Sequence, residues 1–134
     1  MPLSSQDFRR AAQQRLDTAH FLLDNRKTLD AMYLAGYALE CSLKALILDQ
    51  TPTDDQANML KRISQGSRMH RPEVLLEVLA RKGIWLPLTL VKRLRRSTWT
   101  TDLRYQSGRL DTSEVRVFLK TVDGIHQWVG GQLS

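Results

Sequence analysis

The chain has 134 residues, of which 42% are hydrophobic and 25% are charged, and its formal net charge at pH 7 is +6. These values suit one globular domain with a hydrophobic core and exclude disorder of the whole chain. The only cysteine, Cys41, excludes an internal disulfide and a cysteine-rich metal site. The positive charge favours polyanionic partners such as RNA, nucleotides or an acidic protein, although solubility alone is an equally good explanation.

Neither a membrane span nor a signal peptide is expected. The one long apolar run, at residues 33–48, is interrupted by Glu40 and Lys44 and therefore falls short of a span. The opening residues, MPLSSQDFRR, lack the basic segment followed by an apolar segment that a signal peptide has. We therefore expect a cytoplasmic protein.

Helical periodicity dominates the first half of the chain. Ser4 and Asp7 have capping-box spacing and predict the start of a first helix. A second helix is expected from near Thr28 to Gln50. Apolar residues cover so much of its circumference that it must be central to a bundle or lie in a dimer interface. The apolar stripe of the first helix is Phe8, Ala12, Leu16, Ala19 and Leu23.

Shorter helices are expected in the middle of the chain. Thr53 and Gln56 have capping-box spacing and predict a short helix over about 54–63. The segment QGSRMHRP then reads as a loop. Pro72 suits the first turn of the next helix, which Gly83 ends.

Two further helices complete the prediction. Pro87 opens one, whose basic residues are expected outward and whose inward residues are Leu88, Val91 and Leu94. Asp111 and Glu114 cap the last, which Gly130 and Gly131 end, and its stripe is Val115, Phe118, Val122, Ile125 and Val129. The sequence therefore predicts an all-α, up-and-down bundle of four to five helices, in a single domain over residues 1–134.

Positive charge is concentrated between Arg81 and Arg109, where eight lysines or arginines accompany a single acid, Asp102. Within this stretch the segment DLRY, Asp102 to Tyr105, interrupts the helical pattern, and loop residues often carry function. The planar guanidinium of Arg104 suits a phosphate or a carboxylate. Its alternative role is structural, as a partner of Glu40 or a cap on a neighbouring helix.

Glu40 and Lys44 stand four residues apart in the order that favours an ion pair on one helix. On a solvated edge such a pair would contribute little. Because their neighbours are almost all apolar, the alternative is a partly buried pair that meets another helix or a ligand.

The three histidines lack the spacing of metal ligands, and no metal site is expected. His20 and His126 lie on helices and are expected to be packed or solvated residues. His70 stands between Arg68 and Arg71 in the basic loop, and it is the histidine best suited to a functional role.

Several segments together resemble the HEPN domain family, the higher-eukaryote-and-prokaryote nucleotide-binding domains. AMYLAGYALECSLKALIL is similar to the second-helix motif of that family, MHRPEVLLEVL to its histidine-led helix, and DLRYQSGRLDTSEV followed by IHQWV to its final segment. The resemblance implies a helical bundle that forms a homodimer with a cleft between protomers. It also implies a bacterial or archaeal protein, often encoded beside a small nucleotidyltransferase in a toxin–antitoxin or defence system.

Many HEPN domains are metal-independent ribonucleases with an R-x4-6-H motif, in which the arginine holds phosphate and the histidine assists attack by the ribose 2′-hydroxyl. Arg104 matches the arginine in position, but no histidine follows within the window. The RY form resembles members associated with nucleotidyltransferases, which implies a non-catalytic module without a cofactor that binds nucleotide or RNA phosphate or docks such a partner. Its ligand-binding residues would be Glu40, Lys44, Asp102, Arg104 and Tyr105. The alternative is a ribonuclease that uses Arg104 with His70 as an atypical base.

Overall fold

The computed structural model describes residues 3–97 and 108–133, and every regular element within these ranges is helical. Two short 3-10 turns, Thr53–Asp55 and Ser67–His70, accompany the α-helices. The predicted all-α bundle is confirmed, and the described residues form six α-helices, three long and three short. They are α1 (Ser5–Asp24), α2 (Thr28–Asp49), α3 (Gln56–Ile63), α4 (Pro72–Arg81), α5 (Leu88–Arg95) and α6 (Thr112–Gln132).

The predicted capping box begins α1. The backbone N–H of Asp7 donates to Ser4 Oγ at 3.2 Å, and the backbone N–H of Ser4 donates to the Asp7 carboxylate at 2.8 Å. These two bonds satisfy N–H groups that the helix itself leaves without partners. The stripe that follows the cap faces the core, since Ala12, Leu16 and Ala19 are buried.

The central helix of the bundle is α2. It contacts α1, α3, α4 and α6, and all of its residues from 38 to 48 are buried. By length and composition α2 would suffice to cross a membrane, but 83% of its most apolar window is buried inside the protein. That is the pattern of the core helix of a soluble protein, and it confirms the central position expected for this helix.

Side-chain hydrogen bonds fix the directions of the three long helices. Ser5 Oγ, at the start of α1, donates to the carbonyl of Ala45, near the end of α2, at 2.7 Å, so α1 and α2 are antiparallel. The backbone N–H of Leu110, just before α6, donates to Thr28 Oγ1 at the start of α2, at 2.9 Å. The helices α2 and α6 therefore run in the same direction, and both oppose α1.

The predicted stripe of α6 is confirmed, because all five of its residues are buried. The helix end was predicted wrongly: α6 continues through Gly130 and Gly131 to Gln132. A Cβ atom at Gly130 would lie 2.7 Å from a guanidinium nitrogen of Arg9 on α1. The absence of a side chain at Gly130 therefore leaves room for the Arg9 guanidinium beside α6.

The short helices depart from the prediction in two details. Leu88 was expected inward but is 65% exposed, whereas Val91 and Leu94, also expected inward, pack against the core together with Leu90. No capping bond from Thr53 starts α3. The Nε2 of Gln56 instead donates to the carbonyls of Leu48 and Thr51, at 3.2 Å each, and joins α3 to the end of α2.

Candidate functional site

A buried ion pair lies on the central helix. Lys44 Nζ is 3.0 Å from Glu40 Oε2, and the two residues are 4% and 6% exposed. The i, i+4 spacing within α2 places the two heads side by side. The expectation of a buried pair is confirmed, and a solvated surface pair is excluded.

The Glu40 carboxylate has a second partner, His70. The segment predicted as a loop contains the 3-10 turn Ser67–His70, which follows Gly66 in a left-handed conformation with φ of 78°. This turn brings His70 Nδ1 to 3.2 Å from Glu40 Oε1. The carboxylate thus bridges an ammonium that is buried and an imidazole whose side chain is 44% exposed.

Arg68 and Arg71 stand beside His70 in the chain, and Arg62 lines a pocket together with Arg68. We call this surface, formed by Arg62, Arg68, His70 and Arg71, the His70 face. Its three arginines are exposed. Among the residues that the structure describes, no carboxylate lies within ion-pair distance of these arginines. The buried acid below therefore supports a surface whose own charge is positive.

A second histidine occupies a very different setting. His126 of α6 is 7% exposed, and its Nδ1 accepts from the hydroxyl of Ser42 on α2 at 2.7 Å when its Nε2 donates to Gln13 Oε1 on α1 at 3.0 Å. Burial is the main cause that lowers the pKa of His126, and the nearby charge of Arg9 lowers it further. A neutral imidazole at this position satisfies both partners and joins the three long helices.

His20 and Cys41 complete the set of reactive side chains. His20 Nε2 is 2.9 Å from both carboxylate oxygens of Asp123, which links α1 to α6 at a half-exposed position. Cys41 is buried, and burial raises the pKa of its thiol. Over residues 3–97 and 108–133, no three His, Cys, Asp or Glu side chains are grouped to hold a metal ion.

The HEPN domain model matches residues 5–132. The chain belongs to the HEPN family. The match spans nearly the whole chain and agrees with the all-helical bundle described above. Comparisons with curated proteins and with solved structures gave no match.

HEPN membership supports a helical module related to nucleotide or RNA. The predicted residues Asp102, Arg104 and Tyr105 lie outside the described part of the chain. The other two, Glu40 and Lys44, lie together and pair with each other.

The contact between Glu40 and His70 was not predicted within one chain. The two residues are 30 positions apart, and only the 3-10 turn before α4 brings them together. The local signal was a histidine between two arginines beside a proline-led helix. The contact between Ser42 and His126 could not be predicted from the sequence near either residue, since it depends on the parallel packing of α2 and α6.

Proposed function

We propose that this HEPN domain is a non-catalytic module that binds the phosphate groups of a nucleotide or an RNA. The observation that carries the proposal is the contact between the buried Glu40 and His70, which anchors the turn that holds Arg68 and Arg71 at the surface. Arginine is suited to phosphate because its planar guanidinium donates two parallel hydrogen bonds. The net charge of +6 adds long-range attraction for the same ligands.

Glu40 and Lys44 have a supporting role in this proposal. The Lys44 ammonium is buried against Glu40 and lies below the surface that a ligand would reach. This ammonium pairs with the Glu40 carboxylate in an apolar setting, and the same carboxylate contacts His70. Asp102, Arg104 and Tyr105 are proposed to contribute to ligand binding as the family motif implies.

The test is binding of a fluorescein-labelled 12-nucleotide single-stranded RNA, followed by fluorescence anisotropy, with ATP as a competitor. The Arg68→Gln/Arg71→Gln variant is expected to bind about tenfold more weakly. Its dependence of log K on log salt should be flatter by roughly 1.4, about 0.7 for each lost phosphate contact. Arg10→Gln, an exposed arginine near the start of α1, is the control. Equal binding by the double variant and the wild type would refute the role of the His70 face.

The same contact favours a second candidate function, a metal-independent ribonuclease. In the tautomer that donates Nδ1–H to Glu40, the Nε2 of His70 has no hydrogen-bond partner among the described residues and can accept a proton. His70 would take the proton of a ribose 2′-hydroxyl, the 2′-oxygen would attack the adjacent phosphorus, and the 5′-oxygen would leave with a proton. Arg104 would hold the phosphate.

Cleavage of mixed transfer RNA in EDTA separates the two candidates. The non-catalytic module predicts no cleavage by the wild type, by His70→Ala or by Arg104→Ala. Cleavage that both substitutions abolish would establish the ribonuclease, since loss of a general base costs about 10²–10⁴-fold in rate.

We further propose that the domain acts in the cytoplasm as a homodimer, in a bacterial or archaeal toxin–antitoxin or defence system with a small nucleotidyltransferase partner. Support comes from the expectations that accompany the HEPN family. Light scattering of the purified chain tests the dimer, and a mass of about 15.4 kDa would refute it. Co-purification with the product of a neighbouring nucleotidyltransferase gene tests the partner.

A further inference from the structure

We propose a second phosphate-binding site at the end of the bundle where α1 joins α2 and α6 begins. Arg26, Arg109 and Arg116 line one cleft of about 310 Å³ there, together with a single carboxylate residue, Asp24. We call it the arginine cleft. It is distinct from the His70 face, because Thr28 at the cleft and Glu40 are separated by about 18 Å along α2, at 1.5 Å per residue.

The three arginines of the cleft are exposed and have no acidic partner. In the part of the chain that the structure describes, no carboxylate lies within 4 Å of their guanidinium groups, although Asp24 shares the cleft. By contrast, Arg81 pairs with Glu77 at 3.1 Å on α4. Converging like charges repel one another, and a bound anion would remove that repulsion.

The backbone of Arg26 is a second, independent observation. Its φ is 62°, the left-handed conformation that disfavours residues with a Cβ atom. The N–H of Arg26 donates to the Leu23 carbonyl at 3.0 Å, and the N–H of Lys27 donates to the Leu22 carbonyl at 2.8 Å. This pattern is the Schellman motif, in which glycine usually occupies the place of Arg26. A glycine would serve the turn better, whereas arginine adds a guanidinium to the cleft.

Rigid elements hold the remaining arginines in place. Thr28 is only 2% exposed, and its hydroxyl accepts a hydrogen bond from the backbone N–H of Leu110. This bond fixes Leu110, the residue next to Arg109, to the start of α2. Arg116 lies near the start of α6. Three segments thus direct one guanidinium each to the same cleft. A phosphate group, with several oxygens that accept from arginine, is the ligand that fits this arrangement, either on a free nucleotide or in an RNA backbone.

Three probes test the cleft: pyrophosphate, ATP, and the labelled 12-nucleotide RNA. The Arg109→Gln/Arg116→Gln variant is expected to bind pyrophosphate about tenfold more weakly by isothermal titration calorimetry, if each lost phosphate contact costs about threefold. An equal loss for ATP with an unchanged salt dependence for RNA would assign the cleft to free nucleotides. A salt dependence for RNA that is flatter by about 1.4 would assign it to the RNA backbone.

Arg26→Gly separates binding from folding. The melting temperature should rise by about 3 °C, because glycine adopts the left-handed backbone conformation without the strain that a Cβ atom causes. The variant should still bind pyrophosphate more weakly, because it lacks the guanidinium. Arg10→Gln should bind all three probes as the wild type does.

Two outcomes would overturn the inference, and only one of them would also overturn the proposed function. Wild-type affinities for all three probes in Arg109→Gln/Arg116→Gln, with a loss in Arg68→Gln/Arg71→Gln, would remove the arginine cleft and leave the His70 face. If the wild type binds none of the three probes, both the cleft and the proposed function fail.

Discussion

Two histidines contact α2 at positions only two residues apart, and their settings differ sharply. His126 has a protein partner on each ring nitrogen, Ser42 and Gln13, and is buried. His70 has a partner on Nδ1 alone within the described residues, Glu40, and its side chain is 44% exposed. An imidazole with both nitrogens satisfied inside the core joins helices, whereas one held at a single nitrogen at the surface is available to a ligand.

The geometry of the helix explains how one element serves both histidines. Residues two positions apart on an α-helix project about 200° from each other around the axis. Ser42 therefore faces α6, and Glu40 faces the turn before α4. Both polar groups are buried, but only Glu40 requires a countercharge, and Lys44 supplies it.

The largest expected effect is on the buried ion pair between Glu40 and Lys44, which lies below His70. Glu40→Leu leaves the Lys44 ammonium buried without a partner, and we expect the free energy of unfolding to fall by about 3–5 kcal/mol. Glu40→Leu/Lys44→Met replaces the pair with apolar groups and should recover most of that loss. Urea denaturation of the two variants measures the difference. A single substitution that costs under about 1 kcal/mol would mean that Lys44 reaches water or another acceptor.

The next effect tests the buried histidine. His126→Leu leaves the Ser42 hydroxyl and the Gln13 amide without their partner, and the expected loss is about 1–3 kcal/mol in the free energy of unfolding. Adding Ser42→Ala to the same chain removes the buried hydroxyl that was left unsatisfied and should restore part of the stability. If the second substitution adds a further loss instead, the Ser42 hydroxyl has another role.

Elements defined by local pattern were predictable, and those defined by distant contacts were not. The start of α1 and the stripe of α6 follow from capping residues and apolar spacing, which the sequence displays directly. In α5 the apolar spacing placed Val91 and Leu94 correctly, but Leu88, the first residue of the helix, is exposed and Leu90 packs against the core instead. The end of α6 was misplaced because Gly130 and Gly131 continue the helix, and Gly130 leaves room for the Arg9 side chain.

The candidate sites follow the same rule. The Glu40–Lys44 pair was predictable from a spacing of four within one helix. The contact between Glu40 and His70 required the 3-10 turn, whose formation depends on how the chain packs between α3 and α4. The arginine cleft draws on three separated segments, so the sequence displayed only a general excess of positive charge.

A smaller effect is expected at the exposed histidine. His70→Gln removes a half-exposed contact while Lys44 still balances Glu40, and the loss of stability should be under about 1 kcal/mol. In the wild type, diethylpyrocarbonate should modify His70 well before His126, as followed by mass spectrometry of tryptic peptides. His20, with a side chain 43% exposed, is the matched reactive control. Equal protection of His70 and His126 would mean that the His70 face is covered in solution.

The finest test of the comparison is the pH dependence of stability. Burial first, and the charge of Arg9 second, lower the pKa of His126 in the folded chain, and the weaker pull of Asp123 and Asp17 in the other direction does not reverse this. In the unfolded chain the same ring titrates near its ordinary value of about 6.5. Because the unfolded state then binds more protons below that pH, the stability that the neutral ring contributes is complete above about pH 6.5 and is lost as the pH falls below it.

The stability gap between the wild type and His126→Leu should therefore narrow between pH 8 and pH 5.5, as measured by urea midpoints at each pH. His70→Gln is the control, since it leaves the buried ring of His126 in place. Its stability should show the same contribution of His126 to the pH dependence as the wild type. A gap of constant size would show that the ring accepts a proton without leaving its partners. The distinction between a buried histidine that joins helices and an exposed one would then no longer hold.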